Sequence, residues 1–367
     1  MTVESTRGVA SGGGAGEPTS RNYTVSRKQA AEKCYLKAIA AEIEGSRFTD
    51  VEALASLRIN HEDIMRYKAR ILGKGTAATG YASWTSFLLH DYGRRERCLS
   101  LGSGLGRVEK FLISLGFTSK FETIELSPYA NKKAKVYDEG IKPCEGDLNF
   151  VELEPESYDF ILCNGVLHHL INLEHVLGQI NRALKPSGIL LVSEYVGPTR
   201  WQFPEATLAW LRTMFPGIEF TRPPLWSIDG FESVRSGELL PLIEAQFGAS
   251  CDRSVRYGGV YFPFLTCTAP SADTRVREVV DLDAGVSAKE TLPPCYLMGV
   301  YRKSHLAPPK ARAWSDAELG ASLRPATPIV PSVVRSLKQS AVGVTLRVAK
   351  RHFHKAIAQL RSAWHPS

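Results

Sequence analysis

Three glycines at alternate positions, Gly102, Gly104 and Gly106, follow the apolar run Cys98-Leu-Ser-Leu101 and precede Val108, Phe111, Leu112 and Leu115 at helical spacing. A strand, a glycine turn and a helix in that order suit an anionic or nucleotide-like cofactor. Residues without a Cβ let the backbone approach a ligand, and the helix start presents unpaired N–H groups to it. A nicotinamide dinucleotide site has a similar turn but normally spaces its glycines G-x-G-x-x-G, whereas here the spacing is G-x-G-x-G. Further along, Glu125 ends one strand candidate and Asp147 follows the next, positions where an acid either faces a ligand or caps a helix. His168 and His169 form a second candidate group, since an imidazole takes a proton near neutral pH. Adjacent residues at a strand end rarely point the same way, so one of them is expected to pack. Glu194 and Tyr195, after the next apolar run, are comparable candidates for proton transfer, and Trp201 and Arg235 are candidates for substrate contact.

These residues need a scaffold that brings strand ends together. Strand candidates at 98–101, 121–125, 141–146, 158–164 and 189–195 alternate with helical patterns, one opened by Ser127-Pro128 and another carrying Leu173, Val176, Leu177, Ile180 and Leu184. Strands alternating with helices predict an α/β fold with a parallel sheet, helices on both faces and a ligand site at the strands' carboxyl ends. Two more strands, around 250–257 and 295–302, are expected to complete the sheet. Ahead of it, Ser26-x-x-Gln29, Thr49-x-x-Glu52 and Asn60-x-x-Asp63 read as helix starts, so 23–94 is expected to be a helical cap. A further helix is predicted to open at Asp229-x-x-Glu232 and to run through Ile243. Prolines and aromatic residues mark a lid at about 197–230.

The Gly- and Ser-rich residues 1–22 read as a disordered leader, and no apolar run approaches the ~20 residues that cross a bilayer. Seven scattered cysteines without C-x-x-C spacing predict reduced core residues and no metal site, and the chain reads as cytoplasmic. The formal net charge of +7 belongs to one end: after Glu318 there are eight cations and no acid, so the rest carries −1. Residues 304–367 therefore read as a proline-rich linker and basic extension. The extension could lie on an anionic membrane surface or simply be solvated. No nucleic-acid motif accompanies the charge, so no such partner is expected, while a homo-oligomer stays open.

Taken in order, residues 84–303 resemble the class I S-adenosylmethionine-dependent methyltransferases. The glycine turn matches the family's first motif, Gly146-Asp147-Leu148-Asn149 follows the third strand, and Asn164-Gly165-Val166-Leu167-His168-His169-Leu170 is similar to the segment closing the fourth. Leu184-Lys185-Pro186-Ser187-Gly188-Ile189 is close to the usual lead into the fifth strand. The resemblance implies a Rossmann-like, seven-stranded mixed sheet and S-adenosylmethionine as cofactor. It implies a pocket from Leu101, Gly102, Ser103, Gly104, Gly106, Glu125, Leu126, Asp147, Leu148, Asn164 and Gly165, with Glu125 on the ribose and Asp147 near the adenine amino group. A narrower resemblance, through Glu194 to Phe203, Phe231 to Leu240 and Tyr257-Gly-Gly259, is to a bacterial group often associated with glycan biosynthesis. It implies a small-molecule acceptor, foremost a sugar hydroxyl, with an aromatic or lipid-like metabolite as runner-up. An inactive cofactor-binding scaffold is the reading from another class.

Overall fold

The computed structural model describes residues 34–40, 42–43, 58–73, 83–225, 228, 230–289, 291–312 and 314–323. The leader, the capping signals at Ser26 and Thr49, and the basic extension beyond 323 lie outside the described residues.

One sheet organises the rest: β1 (Cys98–Leu101), β2 (Phe121–Glu125), β3 (Ile141–Glu145), β4 (Tyr158–Asn164), β5 (Leu184–Tyr195), β6 (Cys251–Tyr257) and β7 (Tyr296–Arg302). Their order is β3-β2-β1-β4-β5-β7-β6. β1 to β5 run parallel, and β7 is antiparallel to both neighbours. The fold is therefore the Rossmann-like mixed sheet expected from the alternation. The order reverses between β1 and β4, and there a crevice opens at the carboxyl ends. β1 and β4 are largely hydrophobic because helices cover both faces; Leu99, Leu101, Ile161 and Cys163 point to one core, Cys98, Phe160 and Leu162 to the other.

The helices follow their local signals closely. α3 (Arg107–Ser114), reached from the glycine turn, buries Val108 and Leu112. Ser127 caps α4 (Pro128–Tyr137), its hydroxyl accepting from Ala130 N–H, with proline in the first turn where no partner is needed. α5 (Leu173–Ala183) buries the predicted apolar stripe. In the N-terminal region α1 (Glu62–Leu72) is capped by His61, one residue after the predicted Asn60, and α2 (Phe87–Tyr92) leads into β1. Ile64, Tyr67 and Leu72 of α1 belong to the same core as β1 and β4.

Two segments depart from expectation. α7 (Ser236–Phe247) begins after Glu232, whose carboxylate accepts from Ser233 Oγ (2.6 Å) rather than acting in a capping box. Between β6 and β7 the chain inserts α8 (Tyr261–Cys267) and α9 (Val276–Ala288), a helical pair that the sequence patterns did not predict. Buried Asp283 of α9 secures the pair by accepting from Val260 N–H (2.7 Å), Gly258 N–H (3.0 Å) and the Tyr67 hydroxyl (2.7 Å). A carboxylate on N–H groups at the start of α8 satisfies donors that the helix leaves free. The Tyr67 bond joins the insertion to α1. Arg58 makes a second latch, Nε donating to Asp273 (2.8 Å) and Nη1 to the Thr268 carbonyl (2.7 Å). The lid carries α6 (Glu205–Met214), and α10 (Asp316–Leu323) closes the described chain.

Candidate active site

The glycine turn and the ends of β2, β3 and β4 border a cavity of about 570 Å³. Gly102 adopts φ +62, and a Cβ there would sit 2.2 Å from Val166 Cγ2, so only glycine fits against the β4 loop. Its N–H donates to the Ile124 carbonyl (2.8 Å), setting the turn level with the end of β2. Gly104, at φ +52, has open space where a Cβ would be, and that space faces the cavity. Glu125 accepts from Gly104 N–H through Oε2 (3.0 Å) and from Ser127 N–H through Oε1 (2.8 Å). Each carboxylate oxygen has a second lone pair, so both can still accept from a ligand's hydroxyls. Burial pushes the Glu125 pKa up, opposed by those two N–H groups.

Asp147 is held from two sides. Its Oδ1 accepts from Asn149 N–H (3.0 Å) and its Oδ2 from the Tyr35 hydroxyl (2.6 Å). Burial raises its pKa against these bonds. Tyr35 lies in the helical residues 34–40 and meets Phe231 edge-on with ring centroids 5.3 Å apart. Ile39, Glu42 and Phe231 complete the cover of the cavity. Sequence patterns did not pick out these covering residues, which approach from elements distant in the chain.

Of the predicted cofactor set, Gly102, Ser103, Gly104, Glu125, Leu126, Asp147, Leu148, Asn164 and Gly165 line this cavity. Leu101 and Gly106 do not: Leu101 is fully buried in the core, and Gly106 packs against Ile141 and Ala134 beneath the turn. The cavity has the features S-adenosylmethionine requires, namely backbone free of side chains at the turn, acids at two strand ends and apolar Leu126 and Leu148 beside them.

A second cavity, of about 630 Å³, meets the first at Asn164, Gly165 and Glu232. Trp84, Tyr195, Trp201, Tyr257, Phe262 and Tyr296 give it aromatic walls, and Lys68 and His168 also line it. Tyr257 and Tyr296 stack with centroids 5.4 Å apart, while Phe262 stands edge-on to Tyr296 at 5.2 Å.

The paired histidines sit where the cavities join. His168 Nδ1 lies 2.8 Å from Glu194 Oε2, while Glu194 Oε1 accepts from Val166 N–H (2.7 Å) and Leu167 N–H (2.9 Å). A carboxylate fixed in this way can only accept, so Nδ1 is the donor and Nε2 is the ring nitrogen left for another partner. His168 Nε2 is 3.7 Å from Glu232 Oε1. His169 belongs to a different pairing, 3.1 Å from Glu42 and 3.5 Å from Glu232. Burial disfavours its charge, but the carboxylates of Glu232, Glu42 and Glu194 outweigh burial and hold its pKa up to about 10. His169 is therefore an imidazolium at neutral pH, unable to accept a proton. Among the described residues, His168, His169 and Glu232 are the group spaced closely enough to hold a metal ion, with ligand atoms within 4.8 Å of one another.

Three predicted residues change role or place. Glu194 is buried and lines neither cavity, so it acts on His168 and does not reach an acceptor. Arg235 is not a substrate contact: it is buried, binds Glu174 through both terminal nitrogens (2.9 and 2.7 Å) and donates to the Ile171 carbonyl. A guanidinium paired in this way ties α7 to α5. Tyr195 lines the second cavity, but its hydroxyl donates to the Pro198 carbonyl (3.0 Å), and burial drives its pKa far upward and holds the proton on it. Trp201 lines the same cavity.

A reversed strand order, a glycine turn and acids at successive strand ends together define a class I methyltransferase fold with its cofactor crevice. Comparison with known proteins agrees: residues 74–233 match the family described as a methyltransferase domain. Residues 74–233 thus carry the match to a methyltransferase domain, and the first cavity lies largely within them. It is 30% identical over 118 residues to a sterol 24-C-methyltransferase of Clavispora lusitaniae, covering 30% of this chain and 31% of that protein. A highly reducing polyketide synthase of Strobilurus tenacellus is 28% identical over 132 residues, 31% of this chain and 4% of the synthase. The chain thus spans about a third or less of these relatives' lengths. A solved S-adenosylmethionine-dependent methyltransferase from Mesorhizobium loti is 21% identical with a TM-score of 0.39, covering 61% of this chain and 98% of its own. Among the described residues no helix is long and apolar enough to cross a membrane.

Proposed function

We propose that this chain transfers a methyl group from S-adenosylmethionine to a hydroxyl of a small-molecule acceptor, with His168 as general base. The observation that carries this reading is the junction of the two cavities at Asn164, Gly165 and Glu232, with His168 beside it. When bound, the cofactor supplies a methyl carried on a sulfonium, which departs as a neutral thioether. Holding an acceptor in the second cavity in line with that methyl supplies much of the rate enhancement. His168 Nε2 takes the hydroxyl proton as the oxygen forms its bond to carbon. Glu194 stabilises the resulting imidazolium through Nδ1, and anionic Glu232 lies next to both positive charges. Burial opposes charge on Glu232, but the positive charge of His169 beside it holds its pKa below the usual value.

The aromatic walls favour an apolar acceptor over a sugar, whose several hydroxyls each require a partner. The sterol named for one relative is in keeping with that preference. The His168–Glu194 pair favours an enzyme over the inactive-scaffold reading, which has no use for an oriented base. His168→Asn is the test. Turnover is expected to fall about 10²- to 10⁴-fold while affinity for S-adenosylhomocysteine holds, and dialysis against a chelator should leave wild-type turnover intact. Unchanged turnover in the variant removes His168 as base, and loss on chelation would make the histidine group a metal site instead.

A further inference from the structure

Lys68 lies on α1 and lines the second cavity, with Nζ 5.4 Å from the centroid of Tyr296. Among the described residues no carboxylate pairs with it. The other cation on that cavity, Arg58, is already engaged by Asp273 and by the carbonyls of Leu265 and Thr268. Glu232, the carboxylate lining the same cavity, is in ion-pair range of His168 and His169 and not of Lys68. The same cavity is lined by Met65 and Leu72 from its own helix, Tyr257 from the sheet and Phe262 and Leu265 from the insertion, with the neutral polar side chains of Asn60, Ser193 and Thr266 among them.

An ammonium among aromatic and aliphatic side chains is costly unless something pairs with it. Burial alone pulls the Lys68 pKa down to about 8, with no opposing contribution from an acid. At neutral pH the group is still largely cationic. The aromatic side chains around it bury an apolar body, and the rings of Tyr257 and Tyr296, which both line the cavity, stack 22° from parallel.

We infer that the second cavity accepts an apolar, ring-bearing molecule carrying one anionic group, and that Lys68 pairs with that group. This deepens the methyl-transfer reading, on which the word acceptor rests. It makes Lys68 a specificity-determining residue, set apart from the reacting hydroxyl at His168. A carboxylate, acidic phenol, phosphate or sulfonate on an apolar ring shares the required chemistry.

The test uses two matched fluorescent probes with the full chain, in saturating S-adenosylhomocysteine so that the cofactor cavity is filled. Anilinonaphthalene sulfonate carries the anion, and phenylnaphthylamine has the same rings without it. Wild type is expected to bind the sulfonate at least about tenfold more tightly. Lys68→Met should abolish that preference while leaving the neutral probe and S-adenosylhomocysteine bound as before, and Lys68→Arg should keep it. Lys120→Met, at an exposed lysine on the opposite end of β2, should leave the preference untouched. Equal binding of the two probes by wild type would overturn the inference, as would a preference that survives Lys68→Met or is lost equally in Lys120→Met. If S-adenosylhomocysteine fails to bind while the Lys68-dependent preference holds, the anion-binding cavity stands and the methyl-transfer reading fails.

Discussion

The two cavities that meet at Asn164 and Gly165 are built in different ways. The first is largely backbone: a glycine turn, the ends of consecutive strands and N–H groups that fix Glu125. The second is almost wholly side chain, with walls drawn from α1, the lid, β5, β6, the helical insertion and β7. A cavity made from backbone reproduces itself wherever the fold recurs. One made from side chains gathered across some two hundred residues can change its occupant without disturbing the sheet. In the proposed function, cofactor chemistry and acceptor chemistry are thereby carried by separate parts of one molecule.

Substitutions should respect this division. The largest effect is expected from Gly104→Val, which forces a branched side chain into a left-handed conformation and fills the first cavity. Affinity for S-adenosylhomocysteine should drop by about 3 kcal/mol, roughly a hundredfold, with circular dichroism unchanged. Retained affinity would mean that the turn does not face the cofactor. Glu125→Ala removes an acceptor that the turn itself holds in place, and should weaken cofactor binding by about 1.5–3 kcal/mol. Calorimetric titration reads this, and an unaltered constant would separate the end of β2 from the ligand. In the other cavity, Trp201→Ala should raise KM for the acceptor about tenfold while cofactor affinity stays constant. Loss of both together would show that the cavities are not independent.

The smallest effect concerns Lys68 and pH. Its folded pKa, about 8, lies below its ordinary value of 10.5. Below pH 8 the folded and unfolded chains are both protonated there, and the folded chain bears the cost of burying the charge. Between pH 8 and 10.5 the unfolded chain binds the proton that the folded chain releases, so wild-type stability rises with pH relative to Lys68→Met. The difference in Tm should shift by about 2–4 °C across that window. A flat difference would place the ammonium in water.

The same division decided what could be read from sequence. Gly102, Glu125, Asp147 and Asn164 are legible because each ends or follows a strand within a short local pattern, and the sheet then brings strand ends together. Leu101 and Gly106 are neighbours of that pattern whose tasks are core packing and support of the turn. His168 and His169 were visible as a pair, but their division of labour depends on Glu42, Glu194 and Glu232, from three separate elements. Lys68 reads in sequence as one cation on an ordinary amphipathic helix, and only the insertion packed over α1 sets it apart. That insertion escaped notice because its stability rests on Asp283 and Arg58, through contacts hundreds of residues apart in sequence. Arg235 was misplaced for a local reason: the acid at Glu232 resembles a capping residue, but its carboxylate faces the cavity junction, and α7 begins four residues later.

The most direct test of the account is calorimetric titration of the full chain with S-adenosylhomocysteine, run on wild type, Glu125→Ala and His168→Asn. The account predicts micromolar binding by wild type, weakened binding by Glu125→Ala and wild-type binding by His168→Asn. No binding by a folded wild-type chain, or equal loss in both variants, would contradict a cofactor cavity built apart from the acceptor cavity.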